Sequence, residues 1–267
     1  MELLAPVMGL LAAGLLSGVI AGLLGVGGGI VLVPVLFQTF ILFDAPPEIR
    51  MHLAVGTSLS VICLTGWQSF RAHARAGAVD YGILRRWGAS VAAGALAGAV
   101  AARFISAAGL IFVFASLSLI LGLRMAFRAE AAPRAGLTQG RQKFLSGLIG
   151  FFSALMGIGG GTFSVPLLMA AGRDMHRAVA TSAAIGIIVA VPATLGFIAA
   201  GWGAAGLPDF SLGFVNAAAF LAMSPAAMLG APLGARLAHR LARRTLEYIF
   251  VAFLLLSAAR MFAALLP

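Results

Sequence analysis

Hydrophobic residues in this 267-residue chain fall into eight long blocks that are separated by short polar stretches. Six of the blocks are close to the roughly 20 residues that a membrane-spanning helix requires. The first and fifth blocks are too long for one span, and each contains a glycine cluster, at 25–29 and 157–161. We therefore predict a spanning helix for six blocks and a helical hairpin for the other two. The blocks are 3–43, 50–70, 84–103, 106–127, 143–171, 177–201, 212–236 and 245–266.

Basic residues mark the loops 71–86, 124–143 and 236–244, whereas the N-terminus and the turn at 201–211 carry acids and no base. Loops that are rich in arginine and lysine stay on the cytoplasmic side of a membrane. With these loops inside, the second block runs inward and the sixth runs outward. The first hairpin then begins and ends outside, and the second begins and ends inside. The charges thus predict two halves of inverted topology, with both chain termini outside.

An internal repeat supports the same organisation. The segment GVIAGLLGVGGGIVLVPVL at 18–36 aligns without a gap with GFFSALMGIGGGTFSVPLL at 150–168. Two shorter pairs follow in the same order, HLAVGTS with HRAVATS and GALAGA with GAPLGA, and three pairs in one order indicate a duplication. The predicted units are a first repeat at 1–127 (hairpin 3–43), a basic cytoplasmic linker at 128–142, and a second repeat at 143–267 (hairpin 143–171).

The composition excludes a soluble protein, because 61% of the residues are hydrophobic and only 10% are charged. The net charge of +10 does not form one basic face, so nucleic acid is not an expected partner. A single cysteine rules out a disulfide framework, and we predict no cofactor and no metal. The predicted fold is an all-α integral membrane protein with two inverted-topology repeats, each a glycine-tipped helical hairpin followed by three transmembrane helices.

The duplicated glycine-rich hairpin with its later proline, the H-x-A-V-x-T-S element and the chain length resemble the sulfite exporter TauE/SafE family of bacterial membrane permeases. The resemblance covers essentially the whole chain. It implies a multi-pass protein of the bacterial inner membrane that moves sulfite, sulfonates or related sulfur-containing anions. The two halves differ in one element, since Arg177 and Ala180 stand where the first half has Leu53 and Gly56.

The glycine clusters are candidates for an anion site. The arm after each cluster is too short to cross a bilayer core of about 30 Å, which predicts two half-helices whose N-termini point at one central region. Such N-termini present unpaired N–H groups that suit an anion. The alternative is that these glycines only permit tight helix packing. The candidate substrate-binding residues are Gly27, Gly28, Gly29, Thr57, Ser58, Gly159, Gly160, Gly161, Thr181 and Ser182.

The threonine and serine hydroxyls of this set are expected some six residues into their helices, about 9 Å from an interface. They have two open interpretations, a ligand contact or a bond to a carbonyl in their own helix. His52 and His176 are matched by the repeat and are candidates for proton coupling, with interfacial anchoring as the alternative. No acid lies deep in a span to carry protons instead.

These features predict a secondary transporter of a small sulfur-containing anion that works by alternating access, and not an enzyme, because no catalytic cluster lies at membrane depth. An anion channel and a transporter of a non-sulfur organic anion are the alternatives. The expected partners are the lipid bilayer, the anion and a coupling proton. The direction of transport, the coupling ion and assembly into a homo-oligomer are left open.

Overall fold

The computed structural model describes residues 4–24, 29–127, 138–238 and 243–266, and ten helices account for most of them. The first five are α1 Leu4–Leu24, α2 Gly29–Leu42, α3 Pro47–Arg75, α4 Tyr81–Ala102 and α5 Ala107–Ala126. The other five are α6 Gln139–Met156, α7 Gly161–Ala170, α8 Met175–Ala200, α9 Ala217–Ala238 and α10 Arg243–Ala263. Two short antiparallel strands, β1 Ser211–Leu212 and β2 Val215–Asn216, precede α9.

Several helix starts have a sequence-encoded cap. Asp80 accepts a hydrogen bond from the Ile83 N–H at the start of α4, and Asp174 accepts one from the Arg177 N–H at the start of α8. Ser106 caps α5 in the same way, and Pro47 takes the first position of α3, where its missing N–H has no cost. These residues explain why the helices begin at the polar breaks between the hydrophobic blocks.

The surface of the molecule is that of a membrane protein. Four helical segments are long and apolar enough to cross a membrane: Pro47–Arg75, Ala107–Ala126, Met175–Ala200 and Ala217–Gly234. Large apolar side chains on several helices also face outward, which water would not favour. They include Leu15, Leu16, Phe112, Ile120, Leu195, Leu221, Leu229 and Leu256. The chain is therefore a helical membrane protein, as the hydrophobic blocks predict.

Helix α4, which covers the predicted span 84–103, is not among these four segments. It is 22 residues long, but Arg85 and Arg86 lie in its first turns and lower its apolar character. A membrane span at this position stays a prediction.

The glycine clusters separate helices of unequal length. In the first hairpin α1 has 21 residues and α2 has 14, and in the second α6 has 18 and α7 has 10. At 1.5 Å per residue the shorter arms are about 21 Å and 15 Å long, less than the thickness of a bilayer core. Each hairpin therefore combines one long arm with one short arm.

The helices of the two halves pack against each other. Helix α3 lies at the centre, where every residue from 51 to 62 is buried, and it packs against α8. Around this pair, α1 packs on α9, α6 packs on α4, and α5 packs on α10. Each of these contacts joins one helix of the first half to one of the second.

Glycines bring the α1–α9 and α4–α6 backbones very close together. A Cβ at Gly18 would lie 2.2 Å from the Ala227 carbonyl oxygen, and one at Gly150 would lie 2.1 Å from that of Val91. Gly18 and Gly150 are equivalent positions of the sequence repeat. The same holds for Gly94 and Gly230, where a Cβ would meet the carbonyl oxygens of Gly147 and Leu15 at 2.0 and 2.4 Å. No side chain fits at these four positions.

Candidate substrate site at the hairpin tips

The tip of the second hairpin is a tight buried turn between α6 and α7. Gly157 ends α6 with φ +67° and Gly160 precedes α7 with φ +72°, a left-handed backbone that glycine adopts without strain. All residues from 157 to 161 are buried. The predicted residues Gly159, Gly160 and Gly161 thus form the turn itself and the first position of α7.

The first hairpin meets this tip. A Cβ at Gly29, the first residue of α2, would lie 2.6 Å from the Gly157 carbonyl oxygen and 2.8 Å from the Ile158 Cα. The side chain of Ile62 in α3 lies against both Gly29 and Gly159. Gly27 and Gly28 fall outside the described residues. The described part of the first tip and the second tip are therefore in direct contact.

The two predicted serines have different partners. Ser58 in α3 donates to the Gly157 carbonyl oxygen at 2.8 Å, which ties the central helix of the first half to the tip of the second hairpin. Ser182 in α8 donates to the Val179 carbonyl oxygen of its own helix at 2.7 Å. The alternative of a bond within the helix therefore describes Ser182 and not Ser58.

The two predicted threonines make equivalent contacts. Thr57 accepts a hydrogen bond from the Asn216 N–H at 3.0 Å, and Thr181 accepts one from the Asp80 N–H at 3.0 Å. Both threonines are fully buried. Asn216 and Asp80 in turn cap α9 and α4 through their side chains, so each threonine holds the start of a helix.

The expected position of six residues into the helix is confirmed for Thr181 and wrong for Thr57. Thr181 lies six residues beyond the start of α8, but α3 begins at Pro47, and Thr57 is ten residues in. At 1.5 Å per residue this is about 15 Å rather than 9 Å. The earlier start has a local cause, since Pro47 favours the first turn of a helix.

An ion pair lies beside Thr181. Arg173, in the short connection between α7 and α8, places Nε 2.6 Å from Asp80 Oδ2, and the two side chains are 31% and 14% exposed. The counterpart of Asp80 in the repeat is the neutral Asn216, which instead donates to the Asp209 carbonyl oxygen and to Ser211 Oγ. The two equivalent positions thus differ in charge and in their side-chain partners.

Comparison with known proteins decides the family. Residues 10–261 match the family described as Sulfite exporter TauE/SafE. The chain belongs to the TauE/SafE family. This is a family of membrane transporters and not of enzymes.

Three relatives of this TauE/SafE chain cover different shares of it. A "Probable membrane transporter protein" of Haemophilus influenzae is 32% identical over 258 residues, 94% of this chain and 96% of the relative. A relative of the same description from Methanocaldococcus jannaschii is 31% identical over 188 residues, 67% of each chain. YunE of Bacillus subtilis, also described as a probable membrane transporter protein, is 28% identical over 182 residues, 60% of this chain and 66% of YunE. No solved structure matches.

The two candidate histidines of this TauE/SafE chain lie in different surroundings. His52 is buried, with Nε2 3.0 Å from the Ala102 carbonyl oxygen and 3.1 Å from that of Ile105, and its ring packs on Phe214 at 4.8 Å. Its Nε2–H therefore satisfies carbonyls at the C-terminal end of α4. His176 is exposed in the first turn of α8. Beside it, the Arg177 N–H holds the pKa of the Asp174 carboxyl below its ordinary value by donating to it.

Sequence reasoning missed three hydroxyls at the second tip of this TauE/SafE chain. The side-chain oxygens of Ser153, Thr162 and Ser164 are buried and have no hydrogen-bond partner among the described residues. A signal was available in the repeat, because the equivalent positions of the first half are Ala21, Ile30 and Leu32. The aligned hairpins thus differ in polarity at three positions around an otherwise shared glycine cluster.

Proposed function

We propose that this chain is a secondary transporter of a small sulfur-containing anion, sulfite or an organosulfonate. It holds the anion between the two glycine tips and exposes it alternately to either side of the membrane. The observation that carries the proposal is the contact of Gly29, at the start of α2, with Gly157 and Ile158 of the second tip.

Helix N-termini supply the attraction for the anion. The first N–H groups of α2 and α7 have no partner within their helices, and the peptide dipoles add a partial positive charge there. No charged residue occurs in 18–36 or 150–168, so the field of these N-termini is not opposed locally. A singly charged oxyanion suits such a site, because neutral N–H donors replace its hydration without a buried cation.

An inverted repeat accounts for the matched contacts. The contact of Gly18 with Ala227 corresponds to the contact of Gly150 with Val91. The hydrogen bond between Thr57 and Asn216 corresponds to the one between Thr181 and Asp80. Two similar halves that enter the membrane from opposite sides make such reciprocal contacts when they pack face to face. With the basic loops in the cytoplasm, this proposal has both termini outside the inner membrane of a bacterium and Asp80 and Arg173 at its cytoplasmic face.

The test is sulfite uptake into proteoliposomes, with and without a pH gradient, and with sulfate and methanesulfonate as competitors. Saturable uptake that a competitor reduces and a gradient drives supports a coupled transporter. Linear uptake that ignores competitors and gradients contradicts the proposal and favours a channel. If no sulfur anion enters the proteoliposomes faster than it enters empty vesicles, the proposed substrate is wrong. The same assay would then be repeated with carboxylates.

A matched pair of variants locates the site. Gly160→Ala strains a left-handed residue at the tip, and Gly172→Ala strains one with φ +83° in an open turn where nothing lies within 4 Å of the new Cβ. The backbone cost is similar in both, so loss of uptake in Gly160→Ala with normal uptake in Gly172→Ala supports a tip site. Equal uptake in both variants would argue against it.

A further inference from the structure

Three hydroxyls at the second tip lack the hydrogen bond that four serines elsewhere in the chain make within their own helices. Ser17, Ser60, Ser146 and Ser182 each donate to the carbonyl three residues earlier in their own helix. Ser153, Thr162 and Ser164 have no such bond, and Ser153 and Ser164 are 0% and 1% exposed. A buried hydroxyl without a partner is energetically costly, so three of them close together in the chain's fold indicate a ligand or water at that place.

The three hydroxyls belong to residues at or beside the start of α7. Ser153 Oγ lies 3.9 Å from the position of a Cβ on Gly160, so it sits beneath the turn. Thr162 and Ser164 belong to the first turns of α7. The Phe163 and Ser164 N–H groups donate to the Gly160 carbonyl oxygen, whereas those of Gly161 and Thr162 have no acceptor among the described residues. Hydroxyls and backbone N–H groups without a partner therefore occur together at the start of α7.

The first tip lacks these groups. It has the same glycines, but the equivalent side chains are Ala21, Ile30 and Leu32, and Ile30 and Leu32 are buried. The two tips therefore share their glycines in sequence and differ in the side chains beside them. A ligand with oxygens at one end and an apolar group at the other matches this difference.

We propose that the second tip binds the oxygens of the transported anion through the hydroxyls of Ser153, Thr162 and Ser164 and the free N–H groups that begin α7. The first tip then faces the substituent of the anion. The inference rests on the proposed function and narrows its substrate to an organic oxyanion, of which methanesulfonate is the simplest sulfur case. A sulfate ion, which presents oxygens in every direction, fits this site less well.

The test combines uptake with binding to the purified protein in detergent, measured as the rise in melting temperature with methanesulfonate, sulfite or sulfate. The variants are Ser153→Ala, Thr162→Val, Ser164→Ala and the double variant Ser153→Ala/Ser164→Ala. We expect apparent affinity for methanesulfonate to fall about tenfold for each hydroxyl removed, since each donates to a charged group. Wild type is expected to bind methanesulfonate more tightly than sulfate.

The matched controls are Ser118→Ala and Ser224→Ala. Ser118 in α5 and Ser224 in α9 are also buried hydroxyls without a partner among the described residues, but they lie outside both hairpins. The inference fails if these controls lose as much affinity as the tip variants, or if folded tip variants bind like wild type. If the wild-type protein transports sulfite and the tip variants bind and transport as the wild type does, this inference alone is overturned. No flux and no stabilisation by any of the three anions overturns the inference and the proposed function together.

Discussion

The backbone N–H of Asp80 donates to the hydroxyl oxygen of Thr181 across 3.0 Å, and the N–H of Asn216 makes the same contact with Thr57. In each case a threonine from a central helix holds the first turn of a helix from the other half. The pattern H-x-A-V-x-T-S that carries these threonines is therefore part of the framework around the tips.

Thr57→Val and Thr181→Val should each destabilise the folded protein by about 1–3 kcal/mol, because valine keeps the shape and leaves a buried N–H without an acceptor. Thr57→Ser and Thr181→Ser keep the hydroxyl and should lower the stability of the folded protein less than the valine variants do. Thermal unfolding of the purified variants measures this. A valine variant as stable as its serine partner would contradict the assigned role.

Gly18→Ala and Gly150→Ala should each lower stability by about 1–3 kcal/mol or prevent folding, because the new methyl overlaps a carbonyl oxygen of the neighbouring helix. The controls lie in the same two helices. Gly9→Ala in α1 and Gly140→Ala in α6 meet nothing within 4 Å and should be neutral or slightly stabilising. Yield of folded protein and its melting temperature report the difference. Equal effects at all four positions would show that close packing is not the cause.

Asp80→Asn should test the ion pair alone. Asparagine caps a helix about as well as aspartate, and the backbone bond to Thr181 is unaffected, so only the charge is lost. We expect a loss of up to about 1 kcal/mol, since the pair is partly exposed. Arg173→Gln should cost a similar amount, and the double variant should cost no more than either single one. Additive losses would mean that the two side chains act separately.

His52→Gln should retain the pH profile of wild-type sulfite uptake, whereas His176→Gln should change it. The buried ring of His52 donates to the carbonyls of Ala102 and Ile105. Glutamine keeps an N–H donor for these two carbonyls. His176 is exposed to solvent in the first turn of α8. A changed profile in His52→Gln with a normal one in His176→Gln would reverse the assignment.

Sequence alone reveals the helical segments because apolar blocks, polar breaks and glycine clusters are local features. It does not reveal which hydroxyl meets which partner. Ser58 and Ser182 are equivalent in the repeat, yet Ser58 donates to a carbonyl 99 residues away and Ser182 to one three residues away. An alignment of the two halves identifies the residues that the halves have in common, so it does not identify Ser153, Thr162 and Ser164. Their significance depends on burial and missing partners, which only the fold supplies.

The packing of α1 on α9 has a consequence for synthesis of the protein. Helix α1 leaves the ribosome first, but α9 does not begin until Ala217, when most of the chain has been made. Until then Gly14 and Gly18, which lie against Met223 and Ala227 in the finished molecule, have no neighbour of the right shape. The close packing of α1 on α9 can therefore form only late in translation, after the helices between them have been made.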